Sequence, residues 1–222
     1  MGTFIELTSA DGHRFAAYEA KPVGTPKGAI VIAPEIFGVN SHIRSVADGY
    51  AADGYHAIAP ALFDRVQRDY DTGYTQPEIQ AGIAVMQKVD IGDAIRDTSA
   101  AAAHVKGAGK VALVGYCWGG TIAWVGAARI PELACTIPYY GGGIPSFAGE
   151  MPKVPVLFHF GELDKSPTPE QARAVSEAHS STVAHFYPAG HGFNCDQRGS
   201  YHAESSQLAR ERTLAFLAKH LG

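Results

Sequence analysis

The chain has little of what marks the specialised protein classes. Three cysteines among 222 residues, an odd number without Cys-x-x-Cys spacing, speak against a disulfide framework or a structural zinc site. No apolar run reaches membrane-spanning length. The start, Met1 to Thr8, is strand-like with an early acid rather than a charged segment leading into an apolar core. Lys and Arg number 18 against 22 Asp and Glu, a net charge of −4 without any basic cluster, so neither nucleic acid nor an anionic membrane is an expected partner. Internal repeats, linkers and low-complexity segments are missing as well. What remains is an ordinary globular composition, 46% apolar and 18% charged, long enough for one well-cored domain over residues 1–222. A cytoplasmic, monomeric protein that uses neither cofactor nor metal is the expectation, with a small molecule as its partner.

Thr3 to Thr8 and Arg14 to Ala20 alternate apolar and polar residues around Ser9-Ala-Asp-Gly12, the pattern of an antiparallel hairpin. From there strand and helix patterns alternate. Ala29-Ile-Val-Ile-Ala-Pro-Glu35 is a continuously apolar run of the kind a strand buried on both faces requires, and it delivers Glu35 to the C-terminal end of that strand. Asn40 or Ser41 caps a helix to about Asp53, followed by a strand from Tyr55 to Ala59. Pro60 to Pro77 reads as a long polar and aromatic loop over the crevice. Glu78 to Val105 is helical with a break near Ile91-Gly92. Strands over Val111 to Val114, Leu133 to Pro138, Val154 to Phe160 and Thr182 to Tyr187 are separated by helices from about Gly120 to Arg129 and from Pro167 or Pro169 to Ser180, and a helix from Tyr201 to Leu221 closes the chain. This alternation predicts an α/β fold with a mainly parallel central sheet, helices on both faces and an N-terminal antiparallel hairpin. The run Gly141-Gly-Gly143 lacks the strand and helix context of a dinucleotide fingerprint.

The most informative stretch is Val111-Ala-Leu-Val-Gly-Tyr-Cys-Trp-Gly-Gly120. It has the form of a strand, a tight turn carrying Cys117 and a helix start, which is the Gly-x-Ser-x-Gly nucleophile elbow with cysteine in place of serine. Such a turn exposes the side chain and sets it near a helix N-terminus, where a thiolate is favoured. The plainer alternative is a buried cysteine in a glycine-rich βα turn. A thiol nucleophile needs a base and a carboxylate to orient it. Asp164 follows one strand and His191 the next, giving the order nucleophile, acid, histidine at three strand ends. Asp164 as a turn residue and His191 as a solvated histidine are the bland readings; their agreement with Cys117 favours a triad. His159, inside an apolar strand, reads as structural.

At this point the chain resembles the dienelactone hydrolase family of α/β hydrolases. The matching pieces are Ala33-Pro-Glu-Ile-Phe-Gly-Val39, Gly115-Tyr-Cys-Trp-Gly-Gly120, Gly161-Glu-Leu-Asp164 and Gly190-His-Gly-Phe193, spread over nearly the whole chain. The resemblance implies hydrolysis of a cyclic enol ester through a thiol acyl-enzyme. It implies Cys117, Asp164 and His191 as the triad, Glu35 as an additional carboxylate that interacts with the thiol, and the backbone N–H groups of Ile36 and Trp118 as the oxyanion hole. Glu35 paired to an arginine such as Arg44 is the structural alternative.

The departures from the family concern substrate. The characterised type has a carboxylate-binding arginine four residues past the histidine, where this chain has Cys195, and no second arginine matches near Thr75. Arg65, Arg68 and Arg198 are candidates to replace them. Phe37, Tyr70, Tyr74, Trp118, Tyr139 and Phe193 are candidates to line a more apolar pocket, although aromatic residues at sheet ends commonly serve as core. Cys195 and Cys135 read as packed thiols. Two functions follow: a cysteine hydrolase acting on a carboxylic ester or lactone, and, from another class, a ligand-binding or thiol-sensing protein on the same scaffold.

Overall fold

The computed structural model describes residues 1–179 and 182–222. Its sheet has eight strands: β1 (Thr3–Thr8), β2 (Arg14–Ala20), β3 (Ala29–Ala33), β4 (His56–Pro60), β5 (Val111–Tyr116), β6 (Leu133–Tyr139), β7 (Val156–Gly161) and β8 (Thr182–Tyr187). The spatial order is β1-β2-β4-β3-β5-β6-β7-β8. β1 pairs antiparallel with β2 and β2 with β4, and every later pairing is parallel. The expected architecture, hairpin included, is therefore the observed one.

Strand parity divides the interior into two layers. In β3 and β5, Val31, Ala33, Val111 and Leu113 face one layer, shared with α3 (Ile91–Val105), α4 (Trp118–Arg129) and α5 (Pro169–Glu177). Ile30, Ile32, Ala112 and Val114 face the other, covered by α1 (Ser41–Ala52) and α6 (Ala203–Leu221). Strands fully buried on both sides need the unbroken apolar runs seen in the sequence.

Several boundaries moved for local reasons. Asn40 is the N-cap of α1, its Oδ1 accepting from the Ile43 N–H at 3.2 Å. The long helical stretch is two helices. α2 (Gln76–Met86) starts two residues earlier than expected because Thr75 and Glu78 form a capping box. The break comes before Ile91, where the Asp90 carboxylate caps α3 by accepting from the Gly92 and Asp93 N–H groups. The expected end of the α5 helix at Ser180 lies outside the described residues; α5 closes at Glu177. The strand expected from Val154 begins at Val156.

The close approach of α4 to the sheet is what positions the site. A Cβ on Gly115 would overlap the carbonyl oxygen of Gly119, and one on Gly119 would overlap that of Ala33. Because these obstacles are backbone, they have no rotamer escape. Gly115→Ala is expected to destabilise the protein by roughly 1–3 kcal/mol in denaturant unfolding. Gly107→Ala, where a Cβ would meet nothing within 4 Å, should leave the midpoint nearly unchanged.

Candidate active site

Cys117 sits between β5 and α4 at φ 54°, ψ −116°. A non-glycine residue at positive φ is strained and persists only where its surroundings hold it. Here the Cys117 N–H donates to the Tyr139 carbonyl at 3.0 Å, and the Cys117 carbonyl accepts from the Gly120 N–H at 2.9 Å. α4 begins at Trp118, two residues earlier than the sequence suggested, so Gly119 and Gly120 lie in its first turn rather than before it. The thiol thus stands at the N-terminal end of a helix, where partial positive charge favours an anion.

β7 and β8 end on the same sheet edge. Gly161 closes β7 where a Cβ would collide with the Ala189 carbonyl, so only glycine lets the acid turn press against the loop that carries His191. The turn is pinned to that neighbour by Glu162 N–H to Tyr187 O and Leu163 N–H to Ala189 O, at 2.8 and 3.0 Å. Asp164 is buried, and its Oδ2 lies 2.9 Å from His191 Nδ1 while its Oδ1 accepts from the Ser166 N–H at 2.8 Å. That contact assigns the Nδ1 proton to the Asp164 side and turns Nε2 toward the cavity. Burial by itself would depress the His191 pKa. The charge of Cys117, the Asp164 hydrogen bond and a hydrogen bond with Cys117 outweigh it, and the imidazole is pushed up to about 10. The sequence-predicted Cys117, Asp164 and His191 are therefore brought together.

Glu35, at the end of β3, is 1% exposed. Its partner is not Arg44, which instead binds Asp71 at 2.6 Å and the Val39 carbonyl at 2.7 Å. Arg198 donates to Glu35 Oε1 at 3.0 Å, and the Tyr74 hydroxyl faces Oε2 at 3.5 Å. The guanidinium also lies over the Phe37 and Tyr74 rings, 5.5 and 6.0 Å from their centroids. Of the three candidate arginines, Arg198 alone reaches this place: Arg65 is bound to Asp97 and Asp11, and Arg68 to Glu6. Among the described residues, neither the Ile36 nor the Trp118 backbone N–H has a protein acceptor, consistent with Trp118 opening a helix.

Cys117, Trp118, Ile36, Phe37, Asp164, His191 and Arg198 share one cavity of about 640 Å³. Its far wall is α2 and the start of α3, through Ile79, Ile83, Met86 and Ile91, none of which stood out in the sequence. The other aromatic candidates are elsewhere. Tyr139 and Phe193 are buried in the layer under α1 and α6, where the Tyr139 hydroxyl bonds Thr213 Oγ1 at 2.6 Å. Strand parity turns Tyr139 away from the cavity, and Phe193 packs on Tyr139, Tyr140 and Tyr187. Tyr70 stacks edge-on against Phe63 and lines a separate cavity, while Tyr74 touches Glu35 without being part of the cavity wall. His159 is buried between the Tyr187 hydroxyl and Thr213, and burial drives its pKa well down, so it is a neutral core residue. Cys135 is pushed up to about 12 by burial and Cys195 to about 11 by burial and the Glu35 charge.

A family model described as the dienelactone hydrolase family matches residues 15–221. The chain is 33% identical to carboxymethylenebutenolidase 1 of Cupriavidus pinatubonensis, with 96% of this chain and 95% of that protein covered. It is 35% identical to the carboxymethylenebutenolidase of Pseudomonas putida, again over 96% and 95%. Among solved structures, a putative dienelactone hydrolase from Klebsiella pneumoniae is similar with a TM-score of 0.84 and 31% identity, covering 98% of this chain and 99% of that one.

The raised His191 pKa has a defined sign. The folded state holds the proton more tightly than the unfolded chain, so the contribution to stability is complete below about 6.5 and is lost as pH rises toward 10. Titrating the His191 ring by NMR should give a midpoint far above 6.5, and Cys117→Ala should lower it, because the thiol's charge is the largest influence raising it. An unchanged midpoint in that variant would mean the two side chains do not interact.

Proposed function

The chain belongs to the dienelactone hydrolase family and is a carboxylic-ester hydrolase, and on that premise we propose that it cleaves its ester or lactone through an acyl-enzyme on Cys117. The observation that carries this reading is a thiol fixed at positive φ on a helix N-terminus, beside an imidazole whose other nitrogen is held by a buried carboxylate.

His191 takes the thiol proton and becomes an imidazolium stabilised by the Cys117 thiolate and Asp164. The thiolate attacks the ester carbonyl carbon. The developing oxyanion is received by the Ile36 and Trp118 N–H groups, a kind of contact that is typically worth about 10²- to 10³-fold in rate per donor. The tetrahedral adduct collapses to a thioester as imidazolium returns its proton to the leaving alkoxide. Water, deprotonated by His191, then releases the acid and restores the thiol. Glu35 is the accessory carboxylate: Arg198 and Tyr74 hold it in the resting site, and a substrate that engages Arg198 frees it toward the thiol. Residues 1–222 act as one catalytic unit in this scheme.

The cavity guides the substrate class. One side of it is an apolar wall of Ile36, Phe37, Ile79, Ile83, Met86, Ile91 and Trp118, and its volume of about 640 Å³ falls in the range of pockets that hold small organic ligands. We therefore place an ester with a substantial apolar body here, its polar end near Arg198. Hydrolysis of an uncharged aryl ester and of a dienelactone should both be measured with wild type and Cys117→Ala. The aryl ester is expected to turn over faster than the dienelactone, and Cys117→Ala should lose at least about 10³-fold in kcat/KM on either. Turnover undiminished in Cys117→Ala removes the thiol from the mechanism. Rapid alkylation of Cys117 without turnover of any ester would instead favour a thiol-sensing role.

A further inference from the structure

We infer that the buried cluster of Glu35, His42 and Cys195, behind the proposed catalytic centre, is a binding site for a borderline-soft divalent cation of the Zn²⁺ type. One potential ligand atom from each, a carboxylate oxygen, an imidazole nitrogen and Sγ, all lie within 4.8 Å of one another, and all three residues are buried. They come from three different parts of the chain: the end of β3, the first turn of α1 and the loop after His191.

A second observation points to a ligand. His42 is 4% exposed, and its Nε2 is buried with no hydrogen-bond partner among the described residues. Its Nδ1 lies 3.1 Å from Asp196 Oδ1. A buried ring nitrogen without a partner carries a desolvation cost. A carboxylate on the opposite nitrogen is the tautomer-fixing contact by which metal-ligating histidines are commonly oriented, and it leaves Nε2 as the free lone pair.

The donor set fits the chemistry. One imidazole, one thiolate and one carboxylate suit Zn²⁺, with a fourth position left for water. Bond lengths of about 2.0–2.3 Å put tetrahedral ligand atoms roughly 3.3–3.8 Å apart, so the cluster needs to close by at most about 1.5 Å. Loading exchanges one proton for the cation: the Cys195 S–H bond breaks, the proton leaves to solvent, and a sulfur–metal bond forms without redox change. Thiolate and Glu35 carboxylate then balance the two positive charges, leaving Arg198 to neutralise Cys117. The solvent-facing side of His42 borders a second cavity, which neither Glu35 nor Cys195 lines. This cavity of about 420 Å³, lined by His42, Asp196, Tyr116, Ser206 and Arg210, shares no lining residue with the one that holds Cys117. On the reading of Glu35 given above, occupancy withdraws that carboxylate from catalysis, but binding itself does not depend on that reading.

Co²⁺ alone is the probe, added to the full chain carrying Cys117→Ala so that the catalytic thiol cannot contribute. One equivalent should bind with a thiolate-to-Co²⁺ charge-transfer band in the near ultraviolet and the visible bands of a tetrahedral centre, and Zn²⁺ should displace it. Cys195→Ser, added to this background, should abolish the charge-transfer band. Asp196→Asn, which changes a largely exposed carboxylate and leaves the packing intact, should weaken binding about 10- to 100-fold. The inference is overturned if Cys117→Ala protein shows no charge-transfer band, if the band survives Cys195→Ser, or if Asp196→Asn binds as tightly as its parent.

Discussion

Everything in the site depends on one backbone constraint, Cys117 held at φ 54° where a residue with a side chain is disfavoured. Strain of this kind costs of order 1–3 kcal/mol and must be met by surroundings that permit no relaxation. The parallel pairing of β5 with β3 and β6 supplies them, together with an α4 pressed so close that Gly115 and Gly119 admit no side chain. The result is a thiol that cannot withdraw into the core although its neighbours Tyr116 and Trp118 are buried. Fold and chemistry are linked at this residue, since the same turn that lifts the side chain also leaves the Trp118 N–H without an intrahelical partner.

Around that point the charges are arranged in two compensated groups. Asp164 supports His191, and His191 supports the Cys117 anion; Arg198 supports Glu35. Removing one partner of a buried pair is costly because it strands the other. Arg198 and His191 come from the same loop after β8, so that a single segment delivers both the imidazole held by Asp164 and the guanidinium bound to Glu35. In the proposed mechanism, a substrate that competes for Arg198 therefore acts on the electrostatics of the whole site.

Much of this was legible in the sequence, for identifiable reasons. Apolar runs on a doubly covered sheet name its central strands, and glycine spacing around Cys117 names the elbow. Asp164 and His191 were readable because the topology delivers successive strand ends to one edge. The partner of Glu35 was not. Arg198 lies 163 residues away in an aperiodic loop, and nothing local distinguishes it from Arg44, which is much closer in sequence. Among the aromatic candidates, Tyr139 was hidden by parity, since it ends a strand on the face turned to α6, whereas Phe37, just after β3, lines the cavity. The apolar wall from Ile79 to Ile91 was also hidden, because a helical period says which residues share a face and not what that face meets.

The central claim is that Cys117 carries the acyl group. The most direct measurement is intact-protein mass spectrometry after rapid acid quench of the enzyme with a slowly deacylating ester, followed by peptide mapping. A mass increase equal to the acyl group, located on Cys117 and decaying at the rate of product release, is the predicted result. Full turnover with no adduct at any time, or an adduct confined to another residue, would contradict it.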